Sequence, residues 1–93
     1  MAVKWTRTAL ANLVALVEYI ERDSPERAKS FALEIKEKTA NLAQFPAIGR
    51  PGRVIGTREL VIHPNYVIAY RLRGDAVEIL RVQHVAQRWP QRL

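Results

Sequence analysis

The chain has 93 residues and no cysteine, which leaves room for one hydrophobic core, a single domain over residues 1–93, and excludes disulfides and cysteine-based zinc sites. With 48% hydrophobic and 26% charged residues, no repeat and no low-complexity tract, it has the composition of a folded domain and not of a disordered one. The formal net charge is +6 and the pI near 10.3, so an acidic or phosphate-bearing partner is expected.

The start, Met1-Ala-Val-Lys-Trp5, lacks the long apolar run of a secretory leader, and no segment is long enough to span a bilayer. A cytoplasmic protein without membrane contact is expected. Residues 2–5 alternate, with Val3 and Trp5 on one side of Lys4, as in a short strand that joins a sheet formed later. Thr6 or Thr8 suits the cap of a following helix, in which Leu10, Leu13, Val14, Val17 and Ile20 recur at helical spacing. Asp23-Ser24-Pro25-Glu26 ends that helix and starts another. Ser24 fits the cap, Pro25 the first helical position and Glu26 the positive end of the helix dipole. The second helix is expected from about residue 25 to 43, with Ala28, Phe31, Ala32, Ile35 and Leu42 on its buried side. So short a connection makes the two an antiparallel hairpin, whose groove could also take a partner helix.

Residues 46–56 contain two prolines and three glycines, and no regular structure is expected there. Arg50 and Arg53 sit in this loop, where glycines and arginines together suit a phosphate or a carboxylate. No Gly-Lys-Ser/Thr ending follows, so it is not a nucleotide P-loop. Three apolar segments then come in quick succession: residues 57–62, 66–72 and 76–84. Each is rich in β-branched and aromatic residues, and the turns His63-Pro64-Asn65 and Arg73-Gly74-Asp75 separate them, as in an antiparallel meander. The fold class is therefore α+β. An N-terminal strand and an antiparallel helical hairpin pack on a small, mainly antiparallel sheet, in the order β-α-α-β-β-β.

Charge is unevenly placed. Residues 1–44 hold seven Lys/Arg against six Asp/Glu, whereas residues 45–93 hold eight arginines, no lysine and three acids. Arginine recurs on each late strand, at Arg58, Arg71 and Arg81, and its forked donor set matches phosphate and carboxylate. One face of the sheet is thus expected to be a working surface, with Tyr66 or Tyr70 interleaved, for nucleic acid or for an acidic protein segment. The two histidines, His63 and His84, have no partner at metal-ligand spacing, so neither a metal nor another cofactor is expected. No nucleophile elbow appears. A metal-free set of Arg58, Arg71, Arg81 and His84 could hold a phosphodiester and move protons.

Trp5, the Asp23-Ser24-Pro25 junction, Phe45-Pro46, Gly49-Arg50-Pro51-Gly52-Arg53-Val54, Gly56-Thr57-Arg58-Glu59-Leu60-Val61-Ile62, Tyr66-Val67-Ile68-Ala69-Tyr70-Arg71 and Ile79-Leu80-Arg81-Val82-Gln83-His84, with Trp89-Pro90 beyond, together resemble a toxin of the RelE/ParE superfamily. The resemblance covers essentially the whole chain and keeps its motifs in order. It implies the toxin half of a type II toxin–antitoxin pair, neutralised by a ParD/RelB-like antitoxin from the adjacent gene. Arg50, Arg53, Arg58, Arg71, Arg81 and Trp89 are the expected antitoxin- or target-binding residues.

The superfamily has two branches. RelE-like members cleave messenger RNA on the ribosome without a metal; here Arg71 and Arg81 would hold the phosphate and His84 would move the proton. ParE-like members poison DNA gyrase. Nuclease members commonly carry an arginine directly after the aromatic that opens the penultimate strand, whereas Val67 follows Tyr66 here. His84 is followed by Val85, and the tail offers Trp89 in place of a tyrosine. These departures favour the ParE-like branch, with gyrase as target and no catalysis; the alternatives are the ribosome-dependent nuclease and a degenerate toxin that only binds its antitoxin. No helix-turn-helix is present, so direct DNA reading by this chain alone is not expected.

Overall fold

A computed structural model of the chain describes residues 1–86. The elements run β1 (Ala2–Trp5), α1 (Arg7–Asp23), α2 (Pro25–Asn41), β2 (Arg50–Pro51), β3 (Arg58–His63), β4 (Tyr66–Arg73) and β5 (Ala76–His84). The strands form one sheet in the order β1-β5-β4-β3-β2. Among the described strands only β1 runs parallel to its neighbour, with Val3 beside Val77 and Trp5 beside Ile79. The helical hairpin covers one face, and the α+β architecture expected from the sequence is the one observed.

Local chemistry sets the helix ends. Thr6 Oγ1 accepts from the Ala9 N–H at 3.1 Å and donates to the Ile79 carbonyl at 2.8 Å, so one hydroxyl caps α1 and ties its start to β5. Ser24 serves both helices: its N–H closes α1 on the Ile20 carbonyl at 2.9 Å, and its Oγ accepts from the Arg27 N–H at 3.2 Å. Pro25 stands at the start of α2, where a missing N–H costs nothing. The expected extension of α2 to residue 43 does not occur. After Asn41 the Leu42 and Ala43 N–H groups bond three residues back, to Thr39 and Ala40, and the helix tightens into a turn.

The core lies between helices and sheet. Ala9, Phe31, Ile35 and Leu42 meet Ile62, Ile68, Tyr70, Val77, Ile79 and Val82, with Leu13, Leu16, Val17 and Ile20 packed at the margin. Two residues expected in the α1 stripe, Leu10 and Val14, are instead about half exposed. Apolar residues cover more than half of that helix's circumference, so periodicity alone did not centre the buried side. It is centred on Ala9, Leu13, Leu16 and Ile20.

Two irregularities shape the sheet. Tyr70 faces Ile79 while Ala69 faces Arg81, so Leu80 is an extra residue in β5. Beside this bulge the Val82 N–H donates to Asn12 Oδ1 on α1 at 3.3 Å. A second shift lies in β3 between Val61 and His63. The loop expected to lack regular structure contains β2, whose two residues pair with Arg58 and Glu59. Pro51 is tolerated because an edge strand needs partners on one side only.

Ile35 is 1% exposed at the helix–sheet contact. Ile35→Ala should destabilise the fold by about 2–5 kcal/mol, read as a lower urea midpoint with an unchanged slope.

Candidate functional site

The bulge decides the faces on which Arg81 and His84 stand. On β4 the even-numbered residues Ile68 and Tyr70 point to the helices, so Ala69 and Arg71 point away. Arg81 pairs with Ala69, and Glu78 pairs with Arg71 and with Lys4. The face away from the helices therefore carries a row of Arg50, Glu59, Ala69 and Arg81, and beside it a row of Arg71, Glu78 and Lys4. Arg71 and Arg81 are brought together. Strict alternation on β5 would have turned Arg81 toward the core with Val77 and Ile79; the extra residue turns it outward.

His84 lies on the opposite face. It pairs with Tyr66, its ring standing nearly perpendicular to the Tyr66 ring with centroids 5.1 Å apart, and Tyr66 in turn meets the Phe31 ring of α2 at 5.0 Å. The Ala86 N–H donates to His84 Nδ1 at 3.0 Å. Tyr66 and Tyr70, expected to interleave with the arginines, both belong to the helix side, where Tyr66 is half-buried against Phe31 of α2 and Tyr70 is buried in the core. Trp89 lies outside the described residues.

Arg58 is separated from Arg71 and Arg81 as well. It stands opposite Tyr70 on the helix side, and its Nη1 donates to the Gly49 carbonyl at 2.7 Å and the Ala47 carbonyl at 3.3 Å. Those bonds hold the loop before β2. The Tyr70 hydroxyl adds two more, accepting from the Gly49 N–H at 2.9 Å and donating to the Pro46 carbonyl at 2.8 Å. Gly49 is required here, since a Cβ would stand 2.7 Å from that hydroxyl and 2.9 Å from the Glu59 carbonyl.

Glu59 secures the rest of the loop. Its carboxylate is 2% exposed and accepts from the Arg53 N–H at 2.8 Å and from Arg50 Nη2 at 3.2 Å, with Arg53 Nε at 3.8 Å. A buried carboxylate needs such partners, so Arg50 and Arg53 are fixed in place while their outer surfaces stay wet. Arg71 is fixed differently. Its Nε donates to Glu78 Oε1 at 2.7 Å, and Arg73 approaches the same oxygen at 3.9 Å. The Arg71 hydrogen bond, helped by the charges of Arg71, Arg73 and Lys4 and opposed by desolvation, holds the Glu78 carboxyl below the usual carboxylate range. Arg81, half-buried, makes no ion pair with another described residue.

Among the described residues, five cations, Lys4, Arg50, Arg71, Arg73 and Arg81, thus stand with two carboxylates on one face. Lys4 was not among the expected site residues, because the parallel pairing that brings β1 to β5 leaves no local sign in the sequence. Such a face suits an anionic chain. No group of three His, Cys, Asp or Glu side chains among the described residues is placed to hold a metal, and no described helix is long and apolar enough to cross a membrane.

Comparison with known proteins gives a consistent family. The family model described as ParE toxin of type II toxin–antitoxin system, parDE, matches residues 3–89. The putative toxin Y4kP of Sinorhizobium fredii is 46% identical over 90 residues, covering 96% of this chain and 93% of that protein. The toxin RelE2 of Caulobacter vibrioides is 41% identical over 85 residues, covering 91% and 96%. Among solved structures, a chain of the chromosomal ParDE system from P. aeruginosa superposes with a TM-score of 0.79 at 32% identity, covering 91% of this chain and 96% of that one. A YoeB/ParE toxin from Agrobacterium tumefaciens gives a TM-score of 0.64 at 17% identity, covering 90% and 98%, which shows the shared fold alone.

The Arg71–Glu78 pair has a measurable consequence. A carboxyl whose folded pKa is depressed stabilises the fold above its unfolded value, and that contribution is lost as pH falls through the folded one. In Arg71→Gln the carbon-detected NMR titration of Glu78 should move back up toward the ordinary carboxylate range. An unmoved midpoint would show that Arg71 is not what holds it.

Proposed function

The chain belongs to the ParE toxin family of type II toxin–antitoxin systems, and from that premise we propose that it arrests growth in the cytoplasm by gripping DNA gyrase through protein–protein contact. The family implies an antitoxin partner. Contact is favoured over RNA cleavage by one observation: His84 and the pair Arg71 and Arg81 occupy opposite faces of the sheet. A proton-transfer group must come within hydrogen-bond reach of the atom it serves, and a phosphate held by the two arginines is shielded from His84 by the sheet itself. His84 is further engaged by the Ala86 N–H and the Tyr66 ring. The names of the relatives fall on both branches of the superfamily, so they do not carry this choice.

In a supercoiling assay the purified toxin should inhibit gyrase or trap cleaved DNA at stoichiometric amounts. Full supercoiling at toxin excess, combined with new mRNA ends after induction that disappear in His84→Ala and Arg81→Ala, would establish ribosome-dependent cleavage instead.

The antitoxin is proposed to meet the cationic face with an acidic segment. Arginines held by Glu59 and Glu78 present their donors in fixed positions, which lowers the ordering cost of binding. Exchanging Arg73 and Arg81 together for Glu should weaken antitoxin binding by about tenfold or more and flatten its salt dependence. Undiminished affinity in titration calorimetry would move the contact to the groove of the helical hairpin.

A further inference from the structure

At the end of the sheet away from His84, the connection from β2 to β3 forms a closed turn over residues 54–57. The Thr57 N–H donates to the Val54 carbonyl at 3.1 Å, Thr57 Oγ1 to the same oxygen at 2.6 Å, and the Gly52 N–H to the Thr57 carbonyl at 2.8 Å. Gly56 has φ +84°, the left-handed conformation demanded at the third position of a turn of this kind, and open space surrounds its missing Cβ. Val54 is buried, whereas Ile55 beside it is 100% exposed. The base of the turn is held by the buried Glu59 carboxylate through the Arg53 N–H.

Folding does not account for Ile55. The turn needs glycine at its third position but no apolar side chain at its second, and a β-branched hydrocarbon wholly in water gains nothing from the native state. Next to it lies a hollow of about 270 Å³ lined by Pro51, Gly56, Thr57, Arg58 and Leu72, and Leu72 is itself 42% exposed. Charge at this end is mainly positive. Arg53 is 43% exposed and Arg73 71% exposed, with Asp75 the acidic group on the neighbouring β4–β5 turn.

We propose that this turn is the target-engaging tip of the toxin, with Ile55 entering an apolar recess on a folded protein whose rim is acidic. The inference rests on the proposed protein–protein mode of action and names the part of the chain that performs it. Convexity identifies the occupant. A flexible acidic tail binds in grooves and along strands, and a fully exposed side chain on a rigid, protruding turn offers it neither. A preformed recess in a folded partner accepts such a knob without an ordering cost on either side, and a buried aliphatic anchor inside a charged rim is how compact interfaces concentrate their affinity. Arg53 and Arg73 supply the complement to the rim.

Ile55→Asp and Ile55→Val in the full chain test this. Neither should change the thermal melt, because a wholly exposed side chain contributes little to the fold. Three readouts are compared with wild type: growth arrest on induction, the toxin concentration that halves gyrase supercoiling, and affinity for the antitoxin encoded by the adjacent gene. Expected for Ile55→Asp are loss of arrest, at least a tenfold higher inhibitory concentration and antitoxin affinity within twofold, while Ile55→Val, one methylene shorter, still arrests growth with an inhibitory concentration raised about fourfold. Arrest by Ile55→Asp at wild-type strength overturns the proposal. So does a parallel loss of antitoxin affinity, which would make the tip an antitoxin contact. If wild type arrests growth but leaves supercoiling intact, gyrase falls as the target, and the arrest phenotype of Ile55→Asp still decides the tip.

Discussion

The register of β4 against β5 slips by one residue at Leu80, and the faces on which Arg81 and His84 stand depend on it. Before the slip Val77 and Ile79 face the helices; after it Val82 does, so the hydrophobic face continues although the spacing from Ile79 is odd. The same slip turns Arg81 outward to join Arg71. A regular strand carrying this sequence would bury a guanidinium under the helices or lose Val82 from the core, and either outcome costs more than one unpaired ladder position. Asn12 on α1 answers the Val82 N–H, so the local backbone keeps a partner.

Around the β2 side of the sheet, two buried polar groups do what apolar packing does elsewhere. The Tyr70 hydroxyl and the Glu59 carboxylate receive the Gly49 and Arg53 N–H groups from a loop otherwise too short in regular structure to hold itself. Because each is almost inaccessible to water, losing either interaction would strand a buried donor or acceptor, at about 1–3 kcal/mol apiece. Arg58, bonded to the Gly49 and Ala47 carbonyls, completes the attachment. The loop is thereby a rigid extension of the sheet, and the exposed turn it carries inherits that rigidity.

Much of this was legible in the sequence, for identifiable reasons. The Asp23-Ser24-Pro25 junction combines a capping hydroxyl with a proline and allows little besides a tight helical hairpin. The three late strands are bounded by turn residues and follow one another too closely for anything but a meander. What stayed hidden depends on relations between distant residues. The role of Arg58 is an example: as a residue type it matches Arg71 and Arg81, yet its β3 register puts it beside Tyr70 and under the loop. Lys4 enters the charged face only because β1 pairs with the far end of the chain. Tyr66 and Tyr70 gave no sign of facing inward, since aromatics suit either face of a sheet. His84 was different. Three positions from Arg81 on one strand, it lies on the other face with or without the bulge, so the distance between those two candidate catalytic groups was already implicit in the spacing.

That spacing leaves two separate surfaces on a chain this small. A basic sheet face and a protruding apolar turn ask for different chemistry: the first attracts an acidic segment at long range and weakens with salt, whereas the second needs a shaped recess and draws on charge only at its rim. Glu59 anchors both Arg50 on the face and the base of the turn, so the two surfaces share a single buried carboxylate. An antitoxin segment that pulls Arg50 away from Glu59 would loosen the turn's support. One that leaves the pair intact would have to neutralise by bulk alone. The two modes differ in whether the Arg53 amide becomes exchangeable in the complex, so the buried carboxylate is where coupling between the surfaces is to be sought.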